Sequence, residues 1–135
     1  MEDYKCGVLT RYTKGARSER ELLSLLYAKG YSVVRAAGSG VNSISPDIIA
    51  IKDGKGLAFE CKAWNSTSIS IDPEKYVSLS TWMTNTKMDT FIAWRMNGEG
   101  WFFIKLAEMP KAEKNYTITM KDAKRLDRRI DEIIK

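Results

Sequence analysis

The chain has 135 residues, 44% of them hydrophobic, with a formal net charge of +5 and a sequence pI of about 9.2. That length and apolar content suit a single domain, 1–135, with a real core, and the positive balance fits a partner that carries phosphates. It has no histidine and only Cys6 and Cys61 as cysteines; this excludes Ser-His-Asp and Cys-His nucleophiles, histidine-ligated metals, four-cysteine zinc sites and a disulfide-built secreted scaffold.

Met1 to Cys6 is charged, with no apolar run of the signal-peptide kind, and no segment reaches the length needed to cross a bilayer. A reduced, cytoplasmic setting is therefore expected. Arg17 to Lys29 reads as a helix with Leu22, Leu23, Leu25 and Leu26 as its core stripe, ended by Gly30. Tyr31 to Arg35 follows as a short strand. Residues 36 to 45 are small and polar enough to form a mobile loop, which delivers the chain to Pro46 and Asp47.

Ile48 to Ile51 reads as a buried strand, Asp53-Gly54 as a hairpin turn, and Leu57 to Ala63 as the returning strand. If Asp53 and Gly54 are the two central turn residues, Asp47 falls opposite Glu60. Side chains alternate along a strand, so Glu60 and Lys62 share one face while Phe59 and Cys61 take the other. Two carboxylates and an ammonium then converge. Such a spot can hold a hard divalent cation through its oxygens, with the lysine available to orient water or offset charge on a phosphate.

Beyond the hairpin, Asn65 to Ile71 is a polar connection, and Asp72-Pro73 is an N-cap followed by proline at the first helical position. The helix it opens runs to about Asn85, with Tyr76, Val77, Leu79, Trp82 and Met83 as its apolar set. Thr90 to Met96 and Trp101 to Leu106 read as strands joined by a turn at Asn97 to Gly100, and Met120 to Ile134 as a last helix with Leu126, Ile130, Ile133 and Ile134 inward. The order of helices and strands gives a mixed α/β domain.

Two acids admit a plain structural reading. Glu19 lies three positions before Leu22 and seven before Leu26, so it can face the Asp47–Glu60 cluster from the end of the apolar stripe. Equally, Glu19 and Glu21 would be first-turn acids favoured by the helix dipole, with Ser18 and Glu21 as a capping box. Pro-Asp also commonly opens a strand, and an acid two before a lysine is often a solvated pair.

Pro46-Asp47 and Glu60-Cys61-Lys62, with Glu19 upstream on a helix, resemble the signature of the PD-(D/E)XK nuclease superfamily. Residues 15–22 (Gly-Ala-Arg-Ser-Glu-Arg-Glu-Leu), 30–35 (Gly-Tyr-Ser-Val-Val-Arg), 38–40 (Gly-Ser-Gly) and 100–104 (Gly-Trp-Phe-Phe-Ile) look like the archaeal Holliday junction resolvases. The likeness covers about residues 14 to 106. It implies a restriction-endonuclease-like fold, a mixed central sheet flanked by helices, in a homodimeric, magnesium-dependent endonuclease of DNA recombination and repair. Such an enzyme nicks two strands of like polarity in a four-way junction; manganese would serve in place of magnesium.

By the same resemblance Asp47 and Glu60 ligate the metal with the Cys61 carbonyl, Glu19 assists, and Lys62 positions the attacking water. Ser39 matches a mobile-loop serine needed for activity, with Ser43 and Ser45 as alternatives. Arg20 and Arg35 match phosphate-contacting positions, and Lys14, Arg17 and Lys55 are further candidates for the DNA-binding surface. Trp82, Met83, Trp94 and Phe103 are candidates for a dimer interface, against a default reading as core. A sliding clamp or a recombinase is a candidate protein partner. The competing readings are a related nuclease acting on linear duplex, of repair or restriction type, a non-catalytic dimer that binds branched DNA, and a structural homodimer.

Overall fold

The computed structural model describes residues 11–36, 44–63 and 65–134, with side chains from Arg17 onward. In chain order the elements are α1 (Arg11–Ala28), β1 (Ser32–Arg35), β2 (Ile48–Lys52), β3 (Lys55–Lys62), β4 (Ser68–Ile71), α2 (Pro73–Thr86), β5 (Asp89–Met96), β6 (Gly100–Lys105), β7 (Tyr116–Thr119), α3 (Met120–Leu126) and α4 (Ile130–Ile133). A short 3-10 turn, Leu106–Glu108, follows β6.

Five strands form the main sheet in the order β1-β2-β3-β5-β6; β3 and β5 run parallel and the other neighbours antiparallel. A parallel step needs a long crossover, and the segment containing α2 supplies it. The β2–β3 hairpin turns as expected, with Asp53 and Gly54 both left-handed at φ 53° and 77°. Its register sets Ile48 opposite Phe59 and Lys52 opposite Lys55.

Alternation along the strands gives each sheet face its own core. On one face Leu57, Phe59, Phe91, Ala93 and Phe103 pack beneath Leu22 and Leu26 of α1 and Ile134 near the chain end. On the other, Ile92, Trp94, Phe102 and Ile104 pack beneath Leu79 of α2, Ile69 of β4, Ile118 of β7 and Ala123 of α3. Trp94 and Phe103 are therefore core, while Trp82 and Met83 are half-buried.

Several expectations are corrected. α1 begins at Arg11, so Ser18 is interior and the expected capping box with Glu21 does not form. Residues 11–16 carry no apolar stripe that would announce the extra turns. Leu25 lies off the buried stripe, 38% exposed. The polar stretch after Asn65 contains a strand, β4, paired with β7 in a second small sheet, where Ser70 and Thr117 hydroxyls meet at 2.8 Å.

The last helix is broken in two. Asp127 takes a left-handed conformation (φ 45°) and ends α3, although no glycine or proline marks the place. Tertiary contacts decide it: the Phe103 amide donates to the Arg128 carbonyl at 3.0 Å, and the Arg128 guanidinium grips both oxygens of Glu108 at 2.7 and 2.8 Å. Those bonds outweigh the few that a continuous helix would gain across residues 127–129. By contrast, the start of α2 is as read, with the Lys75 amide donating to Asp72 Oδ1 at 2.7 Å and Pro73 in the first turn.

Candidate active site

The β2–β3 register continues one step past Ile48 and Phe59 and sets Asp47 across from Glu60; the Asp47 amide donates to the Phe59 carbonyl at 2.9 Å. Asp47 Oδ2 in turn accepts the Cys61 amide at 2.8 Å. Glu60 and Lys62 face the side of the sheet covered by α2, paired in register with Ile92 and Trp94. Cys61 turns the other way and packs against the α1-side core, where burial pushes its thiol well up. The cysteine in the middle of the signature is thus accommodated by alternation.

Glu60 is buried, with 8% of its surface exposed. Desolvation and, after it, the facing charge of Asp47 push its carboxyl up to about 7, against the opposing pull of Lys75 and Lys62. Lys75 Nζ stands 3.4 Å from Glu60 Oε1, an ion-pair distance, but gives its hydrogen bond to the Ser45 carbonyl at 2.9 Å. Glu60 Oε1 has no hydrogen-bond donor among the described residues. A buried anionic oxygen without a donor, opposite a second carboxylate, suits a hard cation.

Glu19 approaches from the α1 side. Its Oε1 accepts from Arg35 Nε at 2.6 Å, and half-burial, partly countered by that bond, raises its carboxyl with a further push from Asp47. The charge of Asp47 thus raises the carboxyls of both other acids. Among the described residues no three acidic or thiol groups converge closely enough to form a ready metal cluster. The pair Asp47–Glu60 is formed; Glu19 is adjacent but held by Arg35.

Of the basic residues expected on the DNA-binding surface, Arg17 and Arg20 are exposed on α1, while Arg35 is half-buried against Glu19. Lys55 begins β3 at the turn end of the hairpin, opposite Lys52 and remote from Asp47. Ser39 and the Lys14 side chain lie outside the described residues. Reading the sequence missed Lys75. Its only local signal is its position three after the cap Asp72, which says nothing of what the first turn of α2 abuts.

The sequence profile of the archaeal Holliday junction resolvase (Hjc) family matches residues 10–134, nearly the whole chain. The chain belongs to that family. It is 37% identical over 109 residues to the crossover junction endodeoxyribonuclease Hjc of Methanocaldococcus jannaschii, covering 80% of this chain and 77% of the relative. It is 30% identical over 107 residues to the enzyme of the same name from Archaeoglobus fulgidus, covering 78% and 79%. The solved structure of Archaeoglobus fulgidus Hjc, a Holliday junction resolvase, superposes with a TM-score of 0.71 at 27% identity over 80% of this chain and 85% of that one. A bacterial homing endonuclease superposes with a TM-score of 0.53 at 14% identity over 83% and 77%, a likeness of fold. The β2–β3 hairpin is what sets Pro46-Asp47 beside Glu60-Cys61-Lys62. The restriction-endonuclease-like α/β fold expected from the motif is the fold observed.

Proposed function

We propose that this chain is a magnesium-dependent endonuclease that resolves four-way DNA junctions by paired nicks, acting as a homodimer. The observation that carries the reading is the facing pair Asp47 and Glu60, with Lys62 on the same sheet face, in a chain whose resolvase-family match spans residues 10–134.

Asp47 and Glu60 would hold the ion with the Cys61 carbonyl, Glu19 standing by; when bound, magnesium, or manganese in its place, supplies Lewis acidity toward the phosphate oxygens and eases deprotonation of water. Lys62 orients the attacking water and offsets negative charge growing on the phosphate. In-line attack forms a new bond from water oxygen to phosphorus and breaks the bond to the 3′ oxygen. The products are a 5′-phosphate and a 3′-hydroxyl, the proton lost by water being balanced by the one the 3′ oxygen gains.

Arg17, Arg20 and Lys14 of α1, with Lys55 farther off, are assigned to the sugar-phosphate backbone, and Ser39, outside the described residues, is assigned to catalysis on the resemblance alone. A junction presents two symmetry-related scissile phosphates, which a two-fold dimer meets with one site each. Val34 and Ile51, exposed by 61% and 41% on the face that α2 packs against, and Val77 of α2, exposed by 62%, support an isologous interface there. Among the described residues no helix is long and apolar enough to cross a membrane.

The test is a gel assay of labelled four-way junction against linear duplex of the same sequence, with magnesium or chelator, for the wild type and Asp47→Ala. Symmetrical nicks confined to the junction and abolished by chelator and by the substitution are expected. Equal cutting of linear duplex would make it a related nuclease of different substrate; binding without cutting would make it a junction-binding module.

A further inference from the structure

The first turn of α2 brings a second lysine to the acid pair. Asp72 Oδ1 accepts the Lys75 amide at 2.7 Å and so fixes where that turn sits. The Lys75 side chain is largely covered, 18% exposed, and its ammonium donates to the Ser45 carbonyl at 2.9 Å while standing 3.4 Å from Glu60 Oε1. One charge therefore ties together α2, the chain two residues ahead of Asp47, and β3.

We propose that Lys75 is a positioning residue that serves as the resident counter-cation of Glu60, holding its carboxylate in the metal-free protein and yielding it when a divalent ion binds, so that it sets the affinity for that ion. The inference rests on reading Asp47 and Glu60 as cation ligands. An ionised carboxylate as buried as Glu60 is costly without a nearby opposite charge, and Lys75 supplies one. The oxygen it faces, Oε1, is buried and accepts no hydrogen bond among the described residues, so its lone pairs are left to a cation. An ammonium and a divalent cation repel when they share one oxygen, so ion binding must include loss of the Lys75–Glu60 contact. The flexible lysine stem lets the ammonium withdraw while keeping the Ser45 carbonyl. Such opposition is a negative coupling between two cations at one carboxylate, reciprocal by linkage.

The experiment is calorimetric titration of the full chain, without DNA, with manganese and with calcium, for the wild type, Lys75→Met, Lys75→Arg and Asp47→Asn. Lys75→Met is expected to bind the ion about tenfold more tightly, whereas Lys75→Arg, which keeps the charge, stays near wild type. A merely structural lysine would give weaker binding on truncation. Lys75→Gln, which retains a donor for the Ser45 carbonyl, carries the same expectation should the methionine variant fail to fold. If Asp47→Asn abolishes binding but neither neutral variant binds more tightly than wild type, the proposal for Lys75 is overturned and the cation site stands. If the wild type binds no ion, or Asp47→Asn binds as well as wild type, the cation site itself is wrong and the proposal falls with it.

Discussion

The Asp47 carboxylate accepts the Cys61 amide proton at 2.8 Å, so one acid of the candidate site is anchored by the backbone of the strand that carries the other. Geometry and charge can therefore be separated. Asp47→Asn keeps a side-chain oxygen able to accept that bond and should fold with nearly unchanged stability, while junction cleavage falls by about a thousandfold or more. Asp47→Ala should lose the same activity and, in addition, about 1 kcal/mol of stability measured by denaturant unfolding. Retained cleavage in Asp47→Asn would remove this residue from the chemistry.

Glu60 makes the site sensitive to pH. Its folded-state carboxyl, pushed up to about 7 from an ordinary 4.5, holds its proton more tightly than in the unfolded chain. The metal-free protein should therefore lose stability as pH rises from about 4.5 through 7 and level off above it. Glu60→Gln should be more stable than wild type in chelator at pH 8, by on the order of 1–3 kcal/mol, and close to it near pH 4. Apparent metal affinity should climb over the same range, because ion and proton compete for one carboxylate. Denaturant melts at the two pH values decide it; equal stability differences at both would contradict the shift.

Arg35 was expected to touch DNA, yet its guanidinium lies 2.6 Å from Glu19, with both side chains partly covered. Arg35→Ala should leave the salt dependence of junction binding unchanged while reducing cleavage, because Glu19 loses the partner that orients it beside Asp47. A phosphate contact behaves differently. Its removal would lower the slope of log affinity against log salt by about 1, and filter-binding across a salt series separates the two roles.

The broken carboxy-terminal helix rests on Arg128, which binds Glu108 through two hydrogen bonds and the Phe103 carbonyl at 3.1 Å. Hydrogen bonding to Arg128 holds the Glu108 carboxyl below its usual value, so the pair stabilises the fold above the ordinary carboxylate range and that contribution is lost as pH falls through the folded value. Arg128→Ala should cost about 1–2 kcal/mol at pH 7, and less near pH 3, in denaturant melts. A loss that did not shrink with acid would point to packing instead.

Val34 tests the dimer. It is 61% exposed on the edge strand β1, and a charge there would be desolvated in an isologous interface. Val34→Glu should shift sedimentation from dimer to monomer with little change in monomer stability. An unchanged dimer would move the interface elsewhere.

Much of the site was legible in the chain itself, since a two-residue turn at Asp53-Gly54 and a period of two suffice to put Asp47 opposite Glu60 and Lys62 beside it. Those are local rules, decided by neighbouring residues. The start of α2 followed from Asp72-Pro73 for the same reason, and the absence of histidine narrowed the chemistry before any fold was known. What required the tertiary structure were pairings between distant segments. The strand β4 exists because β7 pairs with it, the break at Asp127 because Phe103 and Glu108 hold Arg128, and the Glu19–Arg35 pair because α1 lies across β1. Lys75 meets Glu60 only because the β3-to-β5 crossover lays the first turn of α2 against it, a contact across fifteen residues that no local propensity encodes.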